Sequence, residues 1–278
     1  MQERTPALEA GTKGKETPLL VARPQAGVAV VTMNRAAARN SLSLTMIDAL
    51  HLAVAELAKE VGVAAIVLAA DGPVFCAGHD LKELTAHRAD ADGGHAFFAD
   101  TMTRCSAMMQ AIVACPKPVI AAVQGTATAA GCQLVATCDL AAAADTAQFC
   151  TPGVNIGLFC STPMVALSRN VGRKRAMEML LLGEMLPASD AVAYGLVNRV
   201  VPREGVLAEA FALAAKIAEK SPATVAIGKA AFYAQAEMPL KEAYAYASKV
   251  MTENMMARDA AEGIGAFLEK RKPEWKGC

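Results

Sequence analysis

An excess of charge of either sign is missing from this chain. Lys and Arg together number 27, as do Asp and Glu, so the 278 residues carry a formal net charge of zero at pH 7. No basic stripe or acidic block breaks the balance, which excludes the electrostatic footprint of a nucleic-acid binder and of a polybasic membrane contact. Aromatic residues are scarce at 5%, with a single Trp, although 54% of the chain is hydrophobic. The apolar content is therefore mostly Ala, Val, Leu and Met, which suits tight helix packing and oligomer interfaces. Metal-binding patterns are absent too. The eight cysteines, at 76, 105, 115, 132, 138, 150, 160 and 278, include no C-x-x-C pair, and several sit in apolar runs. Free, buried thiols in a reducing compartment are expected. His79, His87 and His95 are evenly spaced, but the spacing is neither i,i+4 on a helix nor a zinc pattern, so no metal is expected.

The beginning of the chain also lacks a recognisable address. Residues 1–17 are polar, with no secretory signal, and read as a flexible tail. Residues 11–15, GTKGK, have neither the preceding strand nor the full spacing of a phosphate-binding loop. Three acidic residues in the tail and no Arg-rich amphipathic pattern make the cytoplasm the expected location. The Ala-rich run over residues 119–144 is long, but it holds Gln124, Gln133, Asp139 and two glycines, so no membrane span is expected.

What is present is a pair of small-residue loops, each following an apolar run. Residues 66–70 read as a strand and lead into Asp71-Gly72-Pro73 and Ala77-Gly78. Residues 119–123 read as another and lead through Gly125 to Ala129-Ala130-Gly131, where a helix opens. A helix start presents N–H groups without intrahelical partners, and small side chains let a ligand oxygen approach them. Two such loops facing each other make an oxyanion hole. Around them, strands are expected at 19–23, 28–33, 63–69, 140–144, near Phe149 and at 197–201. Helices are expected at 43–60, 95–114, 161–170, 173–182, 189–194, 203–220, 221–235, 239–256 and 258–271. Composition and periodicity support an α/β core followed by helices only.

The loops carry a resemblance. FCAGHDLKEL, residues 75–84, resembles the F-x-A-G-x-D-[LI]-x-E pattern of the enoyl-CoA hydratase/isomerase (crotonase) superfamily. GTATAAGCQLVATCDLAAAAD, residues 125–145, resembles its second signature, and the likeness extends over residues 18–275. It implies an α/β, crotonase-like spiral of ββα units at 18–202 and a C-terminal helical trimerisation region at 203–278. It also implies an acyl-CoA thioester as partner, with CoA entering as part of the substrate and no separate cofactor. A homotrimer or dimer of trimers is implied as well.

By the same resemblance, the oxyanion donors are the backbone N–H groups of His79 and Ala130. Contacts to CoA are implied for Ala38, Arg39 and Asn40, for Ala77, Asp80 and Leu81, and for Phe267 and Lys270. Asp80 and Glu83 are further expected to fix their loop by hydrogen bonds. The chain departs from the hydratase pattern at both carboxylates. Gln133 stands where the family's G-G-C-E has Glu, and Gly153 follows Gln148-Phe149-Cys150-Thr151-Pro152 where Q-F-x-x-P-E has Glu. Gln hydrogen-bonds but does not exchange protons near neutral pH, and Gly has no side chain. General acid–base catalysis is worth about 10²–10⁴-fold, so ordinary hydration is expected to be weak. His79 and the Cys160 thiol are candidate replacements. TPGVNIGLFCSTP, residues 151–163, resembles the enoyl-CoA-hydratase-domain-containing subgroup, which shares the Gly-for-Glu pattern. Two functions stay open: a hydratase- or isomerase-type enzyme with altered acid–base chemistry, and a non-catalytic acyl-CoA-binding or regulatory protein. A metal- or nucleotide-dependent enzyme has no motif behind it.

Overall fold

The chain winds so that each turn gives one strand to each of two sheets. The computed structural model describes residues 17–278. The expected tail, apart from Thr17, and residues 11–15 lie outside the described residues. A hairpin of β1 (Leu19–Gln25) and β2 (Gly27–Met33) opens the fold, with Leu19 opposite Met33. Helix α1 (Leu44–Lys59) follows, capped by the Ser43 hydroxyl accepting from Met46 N; it buries Met46, Ile47, Leu50, Val54 and Leu57 at helical spacing. The first spiral turn is β3 (Val63–Ala70), β4 (Val74–Cys76), α2 (Leu81–Ala86) and α3 (His95–Ala114). The second is β5 (Val119–Val123), β6 (Thr126–Thr128) and α4 (Ala130–Thr137). The third is β7 (Leu140–Ala144), β8 (Gln148–Cys150), α5 (Pro163–Asn170) and α6 (Arg173–Leu182). Then come β9 (Leu186–Pro187), α7 (Ala188–Tyr194) and β10 (Arg199–Val201).

The larger sheet runs β1-β2-β3-β5-β7-β10, parallel from β2 onward, and the smaller runs β4-β6-β8-β9. VIAAV of β5 is buried at every position, and LAAAA of β7 at all but its first. Strands covered on both faces need apolar runs rather than alternation. Four short elements escaped the sequence reading: β4, β6, β9 and α2. Strands of two or three residues, and a six-residue helix, leave no periodic signal.

Helix α8 (Val206–Ala218) lies on the larger sheet and buries Val206, Ala210 and Ala214. The expected boundary at 203 therefore separates the sheet from a helix that covers it. The helices that stand off are α9 (Pro222–Ala236), α10 (Leu240–Met255) and α11 (Arg258–Glu269). One buried cation ties α9 to the core. Lys229 Nζ donates to Asp139 Oδ2 at 2.6 Å and to the carbonyls of Ile112 and Lys117 at 3.0 and 3.2 Å. Tyr233 donates to the other Asp139 oxygen at 3.0 Å, and Val119 N–H to the first at 2.7 Å. The chain end straps across α9 and α11. Buried Asp259 accepts from Ser221 Oγ at 2.6 Å, Lys276 N at 2.8 Å and Gly277 N at 2.9 Å, and Trp275 Nε1 donates to Glu219 O at 2.8 Å. Among the described residues, no helix is long and apolar enough to cross a membrane.

Candidate acyl-thioester site

Two loops meet at Gly78. Its φ of +86° is one that L side chains rarely adopt, and a Cβ there would stand 2.9 Å from Ala129 Cβ, 3.0 Å from Thr128 O and 3.3 Å from Ala130 N. Close approach of that kind brings the amides of the next residue, His79, and of Ala130 into one place. The His79 amide faces away from its neighbouring strand. Leu42 N–H donates to Gly78 O at 2.8 Å and Asp80 N–H to Leu42 O at 3.2 Å, so the parallel bridge uses the residues on either side of His79. Ala130 is the first residue of α4, so its N–H has no carbonyl within the helix. Ala129 before it has φ 51° and ψ −119°, a strained conformation for a residue with a Cβ. Gly131 lets α4 seat on β4: a Cβ there would lie 2.1 Å from Cys76 O.

A cleft of about 1380 Å³ opens beside His79 and Thr128; Ala130, 1% exposed, does not line it. Ala38, Arg39, Ala77, His79, Asp80 and Leu81 line it, so six of the sequence-predicted residues come together. Arg35 and Lys82 add positive charge to the same wall. Both expected loop-fixing carboxylates do that work. Asp80 caps α2 by accepting from Lys82 N at 3.2 Å and Glu83 N at 3.4 Å, and also accepts from Ser41 Oγ at 3.1 Å. Glu83 Oε2 accepts from Leu44 N at 3.0 Å, at the start of α1.

Other predicted residues stand elsewhere. Asn40 is fully buried with its side chain turned into the protein, so it is corrected from a CoA contact to an internal brace. Phe267, 82% exposed, and Lys270 at the end of α11 do not line the cleft of their own chain. Gln133 is buried on α4 one turn beyond Ala130, and its Oε1 has no hydrogen-bond partner. His79 Nε2 is likewise buried and unpartnered, and burial lowers the ring's pKa from 6.5, so the imidazole is neutral at pH 7.

The loop after β8 fills the place of a side chain at 153. A Cβ on Gly153 would lie 2.9 Å from Cys160 Sγ, 2.9 Å from Leu158 O and 3.3 Å from Cys160 N. Burial pushes the Cys160 thiol up, against the opposing hydrogen bond from Gly153, so it stays protonated at neutral pH. Cys132, next to Gln133, is pushed up to about 12 by burial. The seven cysteines from Cys76 to Cys160 are buried free thiols, and Cys278 is an exposed one. Among the described residues, no three His, Cys, Asp or Glu side chains converge on a metal-sized space.

A ββα spiral whose two sheets hold glycine-bearing loops against each other is a crotonase fold. Family comparison agrees: residues 23–278 match the enoyl-CoA hydratase/isomerase model, and the chain belongs to that family. It is 46% identical over 268 residues to the mouse protein "Enoyl-CoA hydratase domain-containing protein 3, mitochondrial", covering 96% of this chain and 88% of that protein. The crystal structure of an enoyl-CoA hydratase of Mycobacterium smegmatis superposes with a TM-score of 0.88 at 52% identity, covering 94% of this chain and 99% of that one. The crystal structure of human enoyl Coenzyme A hydratase domain-containing protein 3 gives 0.87 at 46% identity, covering 93% and 100%. The resemblance to the domain-containing subgroup is thereby upheld. The expectation of a cytoplasmic protein is corrected, because the mouse and human relatives are named as mitochondrial.

Proposed function

We propose that this protein binds an acyl-CoA thioester with the carbonyl oxygen between the His79 and Ala130 amides, and that it hydrates enoyl-CoA weakly or not at all. The observation that supports the reading is the approach of Gly78 to Ala129 and Ala130 beside a cleft that His79 and Thr128 line. Each such donor is worth roughly 3 kcal/mol to an oxygen gaining negative charge. Ala38, Arg39, Ala77, Asp80 and Leu81 supply the wall for the CoA arm, and CoA enters with the substrate rather than as a resident cofactor.

The two-glutamate mechanism is closed to this chain. Gln133 offers an amide that orients a hydroxyl or water, and nothing at 153 exchanges a proton. A second reading, acyl-CoA binding without turnover, is favoured by the filled space at Gly153. Assembly as a homotrimer or a dimer of trimers belongs to the same proposal; it would let Phe267 and Lys270 serve a neighbouring subunit's cleft.

Calorimetric titration with butyryl-CoA, run beside a turnover assay on crotonyl-CoA, tests the proposal. Binding with little turnover is expected. Failure to bind any acyl-CoA sinks it, and turnover at an ordinary hydratase rate would show that other groups move the protons.

A further inference from the structure

Asn40 forms no part of the cleft wall, yet it is fully buried and its side chain makes three hydrogen bonds. Oδ1 accepts from Arg35 N at 2.9 Å, and Nδ2 donates to the carbonyls of Asp71 and Val74, both at 2.8 Å. A side-chain amide supplies two donors and an acceptor, and here both kinds of group are engaged. The backbone is bent to bring it there: Arg39 and Asn40 both lie in the left-handed region, with φ of 54° and 51°. Asn is among the few residues that enter that region readily.

The same bend makes segment 39–42 a template for segment 77–80. Arg39 O accepts from Ala77 N at 3.1 Å, and Leu42 bonds Gly78 and Asp80 on either side of His79. The foot of that loop is the turn at 71–74, which Asn40 holds from one side. From the other side, Gln124 Nε2 donates to Gly72 O at 3.0 Å, and Gly125 lies so close that a Cβ would stand 2.0 Å from Pro73 O. Gln124 and Gly125 lead into β6 and the Ala130 loop. One amide therefore braces the turn against which both donor loops are registered.

We propose that Asn40 is a positioning residue for the oxyanion hole: its amide sets the place of the His79 N–H relative to the Ala130 N–H, and through it the polarisation of a bound thioester carbonyl. The inference rests on the reading that these two amides receive that carbonyl. Asn40 touches no ligand atom. The loop that Asn40 holds also carries Ala77 and Asp80 of the cleft wall, so the carbonyl band, and not affinity, is the readout that belongs to the oxyanion hole.

The experiment is infrared difference spectroscopy of butyryl-CoA, isotope-labelled at the carbonyl carbon, bound to the full chain and its variants. Dissociation constants for free CoA are measured in parallel. In the parent, binding lowers the carbonyl frequency. Asn40→Ala is expected to return the band most of the way to its solution position, a larger effect than any loss of affinity for free CoA, whose wall shares Arg39, Ala77 and Asp80 with the braced segments. Asn40→Ser keeps a smaller polar group and carries the same measurement if the alanine variant fails to fold. Asp259→Asn loosens the C-terminal strap and serves as a destabilised control that keeps the parent band. An unchanged band in a folded Asn40 variant overturns the proposal, as does equal loss of the shift in Asp259→Asn. A parent that binds butyryl-CoA with an unshifted carbonyl refutes the reading of the hole, and the role of Asn40 falls with it.

Discussion

At Gly78 the absence of one methyl group decides whether the two loops can meet. Gly78→Ala adds a Cβ at 2.9 Å from Ala129 Cβ on a backbone with φ of +86°. Such strain costs about 1–3 kcal/mol, relieved only by moving the loops apart. Thermal melting should show that loss, and calorimetry should show butyryl-CoA affinity falling by roughly tenfold or more, about 1.4 kcal/mol. Unchanged affinity would mean that the amides do not hold the carbonyl. A second prediction concerns the missing acids. Gln133→Glu with Gly153→Glu restores both carboxylates on paper, yet the loop at 158–160 fills the space a side chain at 153 needs. The double variant is expected to lose about 1–3 kcal/mol to overpacking and to gain no crotonyl-CoA hydration. Recovered turnover would show that Leu158 and Cys160 move aside. Residue identity revealed part of this. Asp80 and Glu83 were legible as loop braces because an acid beside a helix start has an evident use. The role of Asn40 was not: a buried amide and an exposed one look alike in a string of letters.

Elements with a long period were the readable ones. The expected helices at 95–114 and 173–182 have those bounds in the fold. β4 and β6 were invisible, although they are the strands that carry the two donor loops, because pairing between segments fifty residues apart leaves no local pattern. Membership of α8 in the core was also hidden, since its small buried face, Val206, Ala210 and Ala214, looks the same against a sheet or a helix. The anchoring of α9 makes a prediction at this scale. Lys229 and Asp139 are buried together, with side-chain exposures of 6% and 15%. Lys229→Met leaves the Asp139 charge without its cation, which costs about 3–5 kcal/mol. Asp139→Asn in addition should recover part of that loss, because the orphaned charge is gone. Chemical denaturation of the two variants checks both statements; a single variant as stable as the parent would show that α9 is held by other contacts.

At the scale of the whole molecule, the C-terminal helices keep an apolar surface on the outside. Apart from the Lys229 side chain, α9 buries little of itself, and Leu240, Tyr244, Met251 and Met256 all stand exposed. Patches of this kind on a folded chain mark contact surfaces. The proposed trimer or dimer of trimers would cover part of this surface, and light scattering on the purified protein is expected to return three or six chains per particle. A monomer at micromolar concentration would leave the exposed helices without that explanation and remove the neighbouring subunit that Phe267 and Lys270 require. Composition suited oligomer interfaces without naming an assembly, and the polar residues 1–17, three of them acidic, pointed to the cytoplasm, whereas the mouse and human relatives are named as mitochondrial. The C-terminal strap makes the protein report on itself in fluorescence. Trp275 is the chain's single tryptophan, and its indole is held on Glu219 O with its ring 3.1 Å from where a Gly263 Cβ would lie. All indole emission from this protein therefore originates at one known place, the junction of the end of α8 with α11. Its colour and quenching follow the wetting of that junction alone, without a dye or an added label.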